Sequence, residues 1–205
     1  ASILFYEEKK ESLTKKEKEL SNEEKDFLLS LARKTLDEYY KTGKKININK
    51  DPLTENLLNV QGCFVTLKKH GALRGCIGHI LPQEELYKCI IDNAINAAIN
   101  DRRFDPVKEE ELKDIEIDIS VLSVPEKLSF SSGDDLLDKL RPSVDGVVLK
   151  QGFYQSTYLP QVWEQFSSKE QFLSSLCGKG GLDSDCWKDT KTEVLTYQAD
   201  VFEEH

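Results

Sequence analysis

The spacing of apolar residues predicts two long helices in the first half of the chain. Ser21 and Glu24 have the spacing of a capping box, and apolar residues then recur at helical intervals as far as Gly43. A second helical pattern covers residues 84–100, where apolar side chains occupy most of the circumference. A helix that is apolar over such a wide face is largely buried. We therefore expect the second helix to lie inside the fold.

Alternation of apolar and polar residues, with a period of two, predicts the strands. The segment GCFVTLKK at 62–69 predicts a strand, and the KHG that follows predicts a turn at 70–71. Residues 72–80 then form the returning strand of a hairpin. IEIDISVLS, which begins at Ile115, alternates over eight residues and is the strongest strand signal in the sequence. EVLTYQADVF near the carboxyl end also alternates and predicts one strand.

These elements predict an α+β fold with two lobes. Residues 1–20 are rich in Glu and Lys of both signs and predict a solvated, charged arm. Residues 21–205 form the folded domain, and the shift toward Ser, Gly and Asp after Pro125 places a hinge near 123–134. The strands are separated by helices of uneven length, and several strands are joined by hairpins. This order favours an antiparallel or mixed sheet flanked by helices.

Composition excludes several classes of protein. The chain has 205 residues and a formal charge of −9, so its field repels a phosphate backbone and disfavours nucleic acid as a partner. No apolar run reaches the roughly 18 residues that a membrane-spanning helix needs, and the beginning of the chain lacks a signal-peptide pattern. We expect a cytoplasmic protein without a membrane partner. Its five cysteines are scattered without framework spacing and predict reduced thiols.

The segment HGALRGCIGHI at 70–80 contains the first candidate for chemistry. Cys76 lies between Gly75 and Gly78, whose lack of side chains would let a ligand or a strand approach the thiol. Arg74 would lower the pKa of the thiol if the two side chains share a strand face. The alternative is that Cys76 is a small apolar residue of a strand and that the glycines serve a β-bulge, because free cysteine is among the most buried residue types.

His79 follows Cys76 at the spacing of a Cys-x-x-His ligand pair. A structural zinc site needs four ligands, and only Cys63 comes near through the hairpin, so we expect no metal. A one-residue change of register decides whether Cys63 and Cys76 share a face. A Cys-His nucleophile pair is disfavoured, because residues three apart in a strand point to opposite faces unless a bulge intervenes.

Charged residues outside this segment are further candidates. Asp101, Arg102 and Arg103 open the loop NDRRFDP, where arginine would clamp a carboxylate or phosphate. A surface ion pair at a helix end explains the same residues. Glu116 and Asp118 share one face of their strand and would serve as an acid/base pair, although a solvated sheet face accounts for them equally.

The order of these motifs resembles the AMMECR family, whose prokaryotic members are called AmmeMemoRadiSam system protein A. The resemblance is carried by LRGCIG at 73–78, preceded by GCFVTLKKHG and followed by NDRRFDP, IEIDISVLS, LRPSVDGVVL, YLPQVWEQF, FLSSLC and CWKD. It covers nearly the whole chain except the charged arm. The biochemical activity of that family is not settled.

The resemblance implies a two-lobed α+β fold with a cleft near the LRGCIG motif. It also implies a pathway shared with a Memo-type protein and a radical SAM protein. By position it gives Cys76, Arg74 and Glu116 as candidate catalytic residues. The candidates for binding a substrate are Gly75, Gly78, Asp101 and Arg103, with His79 just beyond the motif.

Two functions of different class follow. In the first, the protein is an enzyme or enzyme component that uses the Cys76 thiol on a small, anionic substrate, with no cofactor. In the second, it is a non-catalytic module that binds or regulates another protein. Nucleic-acid binding is a third hypothesis, which the acidic charge disfavours.

Overall fold

The computed structural model describes residues 19–204, so the predicted charged arm lies outside the described residues apart from its last two positions. Two four-stranded antiparallel sheets and their helices make an α+β fold, which confirms the predicted class. The helices are α1 Asn22–Thr42, α2 Glu55–Leu58, α3 Leu86–Ile99, α4 Gly133–Lys139 and α5 Lys169–Lys179. The strands are β1 Gly62–Lys69, β2 Ala72–His79, β3 Ile115–Leu122, β4 Glu126–Lys127, β5 Gly146–Gln151, β6 Tyr154–Tyr158, β7 Glu193–Tyr197 and β8 Ala199–Glu203.

The first sheet has the strand order β2-β1-β3-β8. The predicted hairpin of β1 and β2 is confirmed, and its turn places His70 and Gly71 at φ values of 53° and 77°. Positive φ at both central residues gives a turn whose twist matches that of the flanking strands. The predicted capping box of α1 is confirmed at Ser21 and Glu24.

Helices α1 and α3 cover one face of the first sheet, which we call the covered face. Its strand residues are fully or nearly fully buried against apolar residues of both helices. They include Cys63, Val65, Leu67, Ile117, Ile119 and Val121. The prediction that the second helix is buried is therefore confirmed. The opposite face, which we call the open face, carries the alternate residues of the same strands.

The second sheet has the strand order β4-β7-β5-β6. Its own core lies against α4 and α5 and includes the stacked rings of Trp163 and Phe172. Its other face packs on part of the open face of the first sheet, where Phe64 joins a cluster with Leu122, Val148, Leu195 and Tyr197. The Phe64 side of the open face is thus closed by the second sheet.

The chain enters the second sheet after β3 and returns at Gln198. The predicted single strand EVLTYQADVF is wrong, because Gln198 divides it into β7 of the second sheet and β8 of the first. The break is fixed by two hydrogen bonds with Ser123: its backbone N–H donates to the carbonyl of Gln198 at 3.0 Å, and its hydroxyl accepts the N–H of Gln198 at 2.9 Å. Alternation continues across the break, so periodicity does not reveal it.

Four of the five cysteines are paired. Disulfides join Cys63 to Cys89, which ties β1 to α3, and Cys177 to Cys186 near the end of α5. The prediction of reduced thiols is therefore wrong for these four residues. Spacing does not reveal either pair: Cys63 meets Cys89 only when α3 packs on β1, and Cys186 meets Cys177 when the chain folds back after α5. Cys76 is free, and all five cysteines lie within the described residues.

Within residues 19–204, no helix combines the length and apolar character needed to cross a bilayer.

Candidate functional site

The candidate site is a row of side chains across the open face of the first sheet. The register places Cys76 of β2 opposite Thr66 of β1, Thr66 opposite Asp118 of β3, and Asp118 opposite Glu203 of β8. Directly paired residues of antiparallel strands project to the same side of a sheet. We call these four residues the Cys76 row. It lies beside Phe64, at the border of the area that the second sheet covers.

The Cys76 thiol is half-buried and hydrogen-bonded. The hydroxyl of Thr66 donates to Cys76 Sγ at 3.2 Å. Burial raises the pKa of the Cys76 thiol above its ordinary value, while this hydrogen bond and the positive charge of Arg103 oppose the shift. Desolvation disfavours the charged form of a thiol. The resting group at neutral pH is therefore the protonated thiol, and reaction would require a proton acceptor.

Asp118 supplies a carboxylate two strands from the thiol. The Asp118 side chain is 13% exposed, and Lys68 forms an ion pair with Oδ2. Its other oxygen, Oδ1, is buried and has no hydrogen-bond partner among the residues that the structure describes. Burial raises the pKa of Asp118, although the charge and hydrogen bond of Lys68 oppose the shift. An unpaired buried acceptor of this kind is costly and rare in folded proteins.

Asp101 and Arg103 hold the backbone of β2 from its outer edge. The N–H of Cys76 donates to Asp101 Oδ2 at 2.8 Å, and Arg103 Nη2 donates to the carbonyl of Cys76 at 3.3 Å. Arg103 also pairs with Asp101 at 2.7 Å. The Arg103 guanidinium holds the pKa of Asp101 well below its usual range. Asp101 and Arg103, both candidate substrate ligands, therefore form hydrogen bonds with backbone groups of Cys76 that would otherwise be unpaired at the edge of the sheet.

Arg74 lies in a β-bulge and is directed away from the thiol. The pairing shifts by one residue between Leu67 and Lys68, so that Arg74 has no partner on β1. Its guanidinium pairs with Glu111 at 2.9 Å and donates to the carbonyl of Asp105 at 2.7 Å. The expectation that Arg74 lowers the pKa of Cys76 from the same strand face is wrong, because the bulge breaks the alternation on which it depends.

The two glycines of the motif allow close packing. A Cβ on Gly75 would lie 2.1 Å from the carbonyl oxygen of Ala97 in α3, and one on Gly78 would lie 2.4 Å from the ring of Phe64. Both distances are far shorter than a van der Waals contact. The space beside each glycine is therefore filled by protein, so the close approach that Gly75 and Gly78 allow is made by α3 and by β1.

The other two candidates lie outside the row. Glu116 is exposed and pairs in register with Lys68, two residues before Asp118 on the same face. His79 lies on the covered face opposite Cys63, with Nε2 3.6 Å from Cys89 Sγ. Burial lowers the pKa of His79. The prediction that Cys76 and His79 point to opposite faces is confirmed.

Sequence reasoning missed Thr66 and Lys68. Both lie on β1 at the polar positions of the alternation, where neither residue type indicates chemistry by itself. A hairpin closed at 70–71 with regular pairing would place Cys76 opposite Val65, on the covered face. The bulge at Arg74 moves the thiol to Thr66. A bulge is one of the two sequence interpretations of the glycines in LRGCIG, and the structure has one beside Gly75.

The comparisons with known proteins agree with one another. The AMMECR1 family model matches residues 29–202. A protein of Methanothermobacter thermautotrophicus is 40% identical over 186 residues, which cover 90% of this chain and 96% of its own length. A Pyrococcus abyssi protein is 42% identical over 185 residues, which cover 87% and 89% of the two chains.

A solved structure extends the similarity to the fold. The crystal structure of the uncharacterized protein PH0010 from Pyrococcus horikoshii superposes with a TM-score of 0.79 at 39% identity, over 87% of this chain and 90% of that one. The family model covers well over half of the chain, and the relatives match it over most of their lengths. This chain belongs to the AMMECR1 family.

Proposed function

We propose that this protein is an enzyme, or a component of one, that uses the Cys76 thiol on a small substrate bound at the open face of the first sheet. One observation carries the proposal: a free thiol, a hydroxyl and a buried carboxylate oxygen without a partner in residues 19–204 lie in a single cross-strand row. The unpaired Oδ1 of Asp118 is buried and keeps its lone pairs free, so it is suited to accept a proton from within the row.

The chemistry requires a base because the thiol is protonated at rest. Asp118 is suited to that role, since a carboxylate with a raised pKa holds a proton more readily than an ordinary one. Cys76 Sγ attacks an electrophilic double bond, a sulfur–carbon bond forms, and the π electron pair moves to the heteroatom of the substrate. The Thr66 hydroxyl, which donates to Cys76 Sγ at rest, relays the proton: it turns to give its own proton to Asp118 Oδ1 and takes the thiol proton in exchange.

Positive charge beside the row favours an anionic substrate. Arg103 leaves 57% of its side chain exposed while it donates to the carbonyl of Cys76, and its charge acts on the thiol. The charge of Lys68 on the same face is offset by its ion pairs with Asp118 and Glu203, so Arg103 carries this preference. An arginine fork with exposed N–H groups binds carboxylates and phosphates well.

The test measures how fast Cys76 reacts with iodoacetamide in the full chain near neutral pH. If Asp118 accepts the thiol proton, Asp118→Asn slows the reaction by about tenfold or more. If Asp118 acts only through its negative charge, which raises the pKa of the thiol, the same change speeds the reaction. The opposite signs separate the two roles, and a faster reaction would refute Asp118 as the base.

Glu126→Gln is the control, since Glu126 is an exposed carboxylate of β4 in the second sheet. Its rate should equal that of the wild type. A second comparison uses iodoacetate, the anionic analogue of iodoacetamide. The ratio of the iodoacetate rate to the iodoacetamide rate should fall in Arg103→Gln. An unchanged ratio would contradict the anionic preference.

The second candidate function is a non-catalytic module that binds another protein. It is favoured by the turn between β5 and β6, where Phe153 is fully exposed and Tyr154 is 55% exposed. Large exposed aromatic residues are enriched at protein interfaces. Memo-type and radical SAM proteins are the partners in either case, and this part of the proposal is supported by the family resemblance alone. Nucleic acid stays disfavoured by the charge of −9.

A further inference from the structure

A second cluster of reactive groups lies on the covered face of the same sheet, on the other side from the Cys76 row. The ligand atoms of His79, Glu84 and Cys89 all lie within 4.8 Å of one another. Cys63 joins the cluster through its bond to Cys89 and is the direct strand partner of His79. Two sulfurs, an imidazole nitrogen and a carboxylate therefore converge where the end of β2 meets the beginning of α3.

We propose that, when the Cys63–Cys89 disulfide is reduced, Cys63, Cys89, His79 and Glu84 bind one divalent cation of the zinc class. Zinc is held by four ligands in tetrahedral arrangement, and thiolate, imidazole and carboxylate are its protein ligands. The sequence expectation of no metal rested on a pairing of Cys76 with His79. The register instead brings His79 to Cys63 and Cys89.

The fold supports each ligand from a different element. Cys63 lies at the beginning of β1, His79 at the end of β2, Glu84 in the loop before α3, and Cys89 in the first turn of α3. Both sulfurs are fully buried, while His79 and Glu84 are half-buried at the rim. The cluster is thus closed on its sulfur side and reachable on the other, which provides an entry path for an ion.

A buried amide supports the two sulfurs. Asn93, one turn after Cys89, directs its Nδ2 to Cys63 Sγ at 3.4 Å and to Cys89 Sγ at 3.3 Å. Hydrogen bonds from a neighbouring group orient ligands and stabilise the charge of metal-bound thiolates. An aliphatic residue would serve a purely structural disulfide in an apolar core equally well, so the amide is better explained by sulfurs that carry charge.

The redox and proton balance of the switch is simple. A dithiol reductant gives two electrons and two protons to the Cys63–Cys89 disulfide and becomes a disulfide itself. Binding of the cation then releases the two thiol protons to solvent, because the thiolate is the ligand. In the reverse direction an oxidised dithiol accepts two electrons by thiol–disulfide exchange and takes up two protons, the Cys63–Cys89 bond forms again, and the cation is released. The cluster therefore alternates between a cross-link and a metal site.

The test uses Co²⁺ as the probe with the full chain, reduced by a water-soluble phosphine that is then removed without air. The reduced protein should bind one Co²⁺ per chain and show the visible bands of four-coordinate cobalt with a thiolate charge-transfer band in the near ultraviolet. The unreduced protein should show neither. A reduced protein without the charge-transfer band would overturn the proposal.

Variants assign the ligands. His79→Ala and Glu84→Gln should each weaken Co²⁺ binding by at least about tenfold, since loss of a supporting group alone costs a metal site that much. Both residues are half-buried at the rim, so circular dichroism should show an unchanged fold. The control is the double variant Cys177→Ser and Cys186→Ser, which removes the other disulfide and should retain binding. Unchanged affinity in His79→Ala and Glu84→Gln, or loss of binding in the control, would contradict the assignment.

Discussion

The two faces of β2 carry different chemistry on neighbouring residues. On the open face, Cys76 is a free, half-buried thiol beside Thr66. On the covered face, His79 adjoins the paired sulfurs of Cys63 and Cys89 under α3. Strand alternation keeps the two sets apart although they lie three residues from each other. The same short strand therefore carries the thiol of the Cys76 row and a histidine that adjoins the Cys63–Cys89 disulfide.

The bulge at Arg74 decides which residue goes to which face. The sheet pairs Lys68 with Leu73 before the bulge and Leu67 with Gly75 after it. The extra residue turns Gly75 toward α3 and Cys76 toward the open face. A cysteine in place of Gly75 on the covered face would meet the backbone of Ala97, so this register is the one that the glycine fits.

The largest effect is expected from a substitution that disrupts the packing on the covered face. Gly75→Ala places a methyl group 2.1 Å from the carbonyl oxygen of Ala97 in a helix backbone that cannot rotate aside. We expect the free energy of unfolding to fall by about 3 kcal/mol, as for severe overpacking. Urea denaturation followed by circular dichroism measures it.

Gly178→Ala is the control for this comparison. A Cβ on Gly178, in α5, would meet no atom within 4 Å. Alanine forms helix better than glycine, so the stability should stay unchanged or rise by up to about 1 kcal/mol. A Gly75→Ala variant as stable as this control would show that α3 does not approach β2 as described.

A smaller effect should follow from loosening the outer edge of β2. Asp101→Asn removes the ion pair with Arg103 and weakens the contact with the N–H of Cys76, which should cost about 1–3 kcal/mol. Asp105→Asn is the control in the same loop, where the side chain is exposed, and should change stability by no more than about 0.5 kcal/mol.

The pH dependence sharpens this prediction. The pKa of Asp101 is lowered in the folded protein, so its stabilising contribution is complete above the unfolded value of about 3.9 and is lost as the pH falls through the lower folded value. The stability difference between wild type and Asp101→Asn should therefore be constant near neutral pH and shrink below about pH 4. A difference that persists unchanged in acid would contradict the ion pair.

Much of the fold was predictable because local signals agreed with the tertiary structure. The capping box at Ser21 begins α1, and the turn at 70–71 joins β1 to β2. The change of sheet at Gln198 was not predictable, since alternation continues through it and the pairing partners are distant in sequence. The disulfides were missed for a similar reason, because Cys63 and Cys89 lie 26 residues apart and meet only when α3 packs on β1.

The candidate site was predictable in part. The sequence alone points to Cys76 as a candidate, and alternation places Asp118 on the same strand face as Glu116. To place Cys76 and Asp118 in one row, the register of three strands must be known. The bulge at Arg74 shifts the pairing of β1 with β2 by one residue. The sequence gives Asp101 and Arg103 as candidate substrate ligands. Charge alone does not distinguish a residue that binds a substrate from one that hydrogen-bonds the backbone of an edge strand.

The most direct test of the two-face account is mass spectrometry of the native, unreduced full chain after treatment with iodoacetamide. The account predicts one adduct per chain, and peptide mapping should place it on Cys76, because the other four cysteines are paired and nearly or fully buried. Absence of an adduct would show that Cys76 is enclosed and unable to act on a substrate. An adduct on Cys63 or Cys89 would show that the covered face is not cross-linked as described.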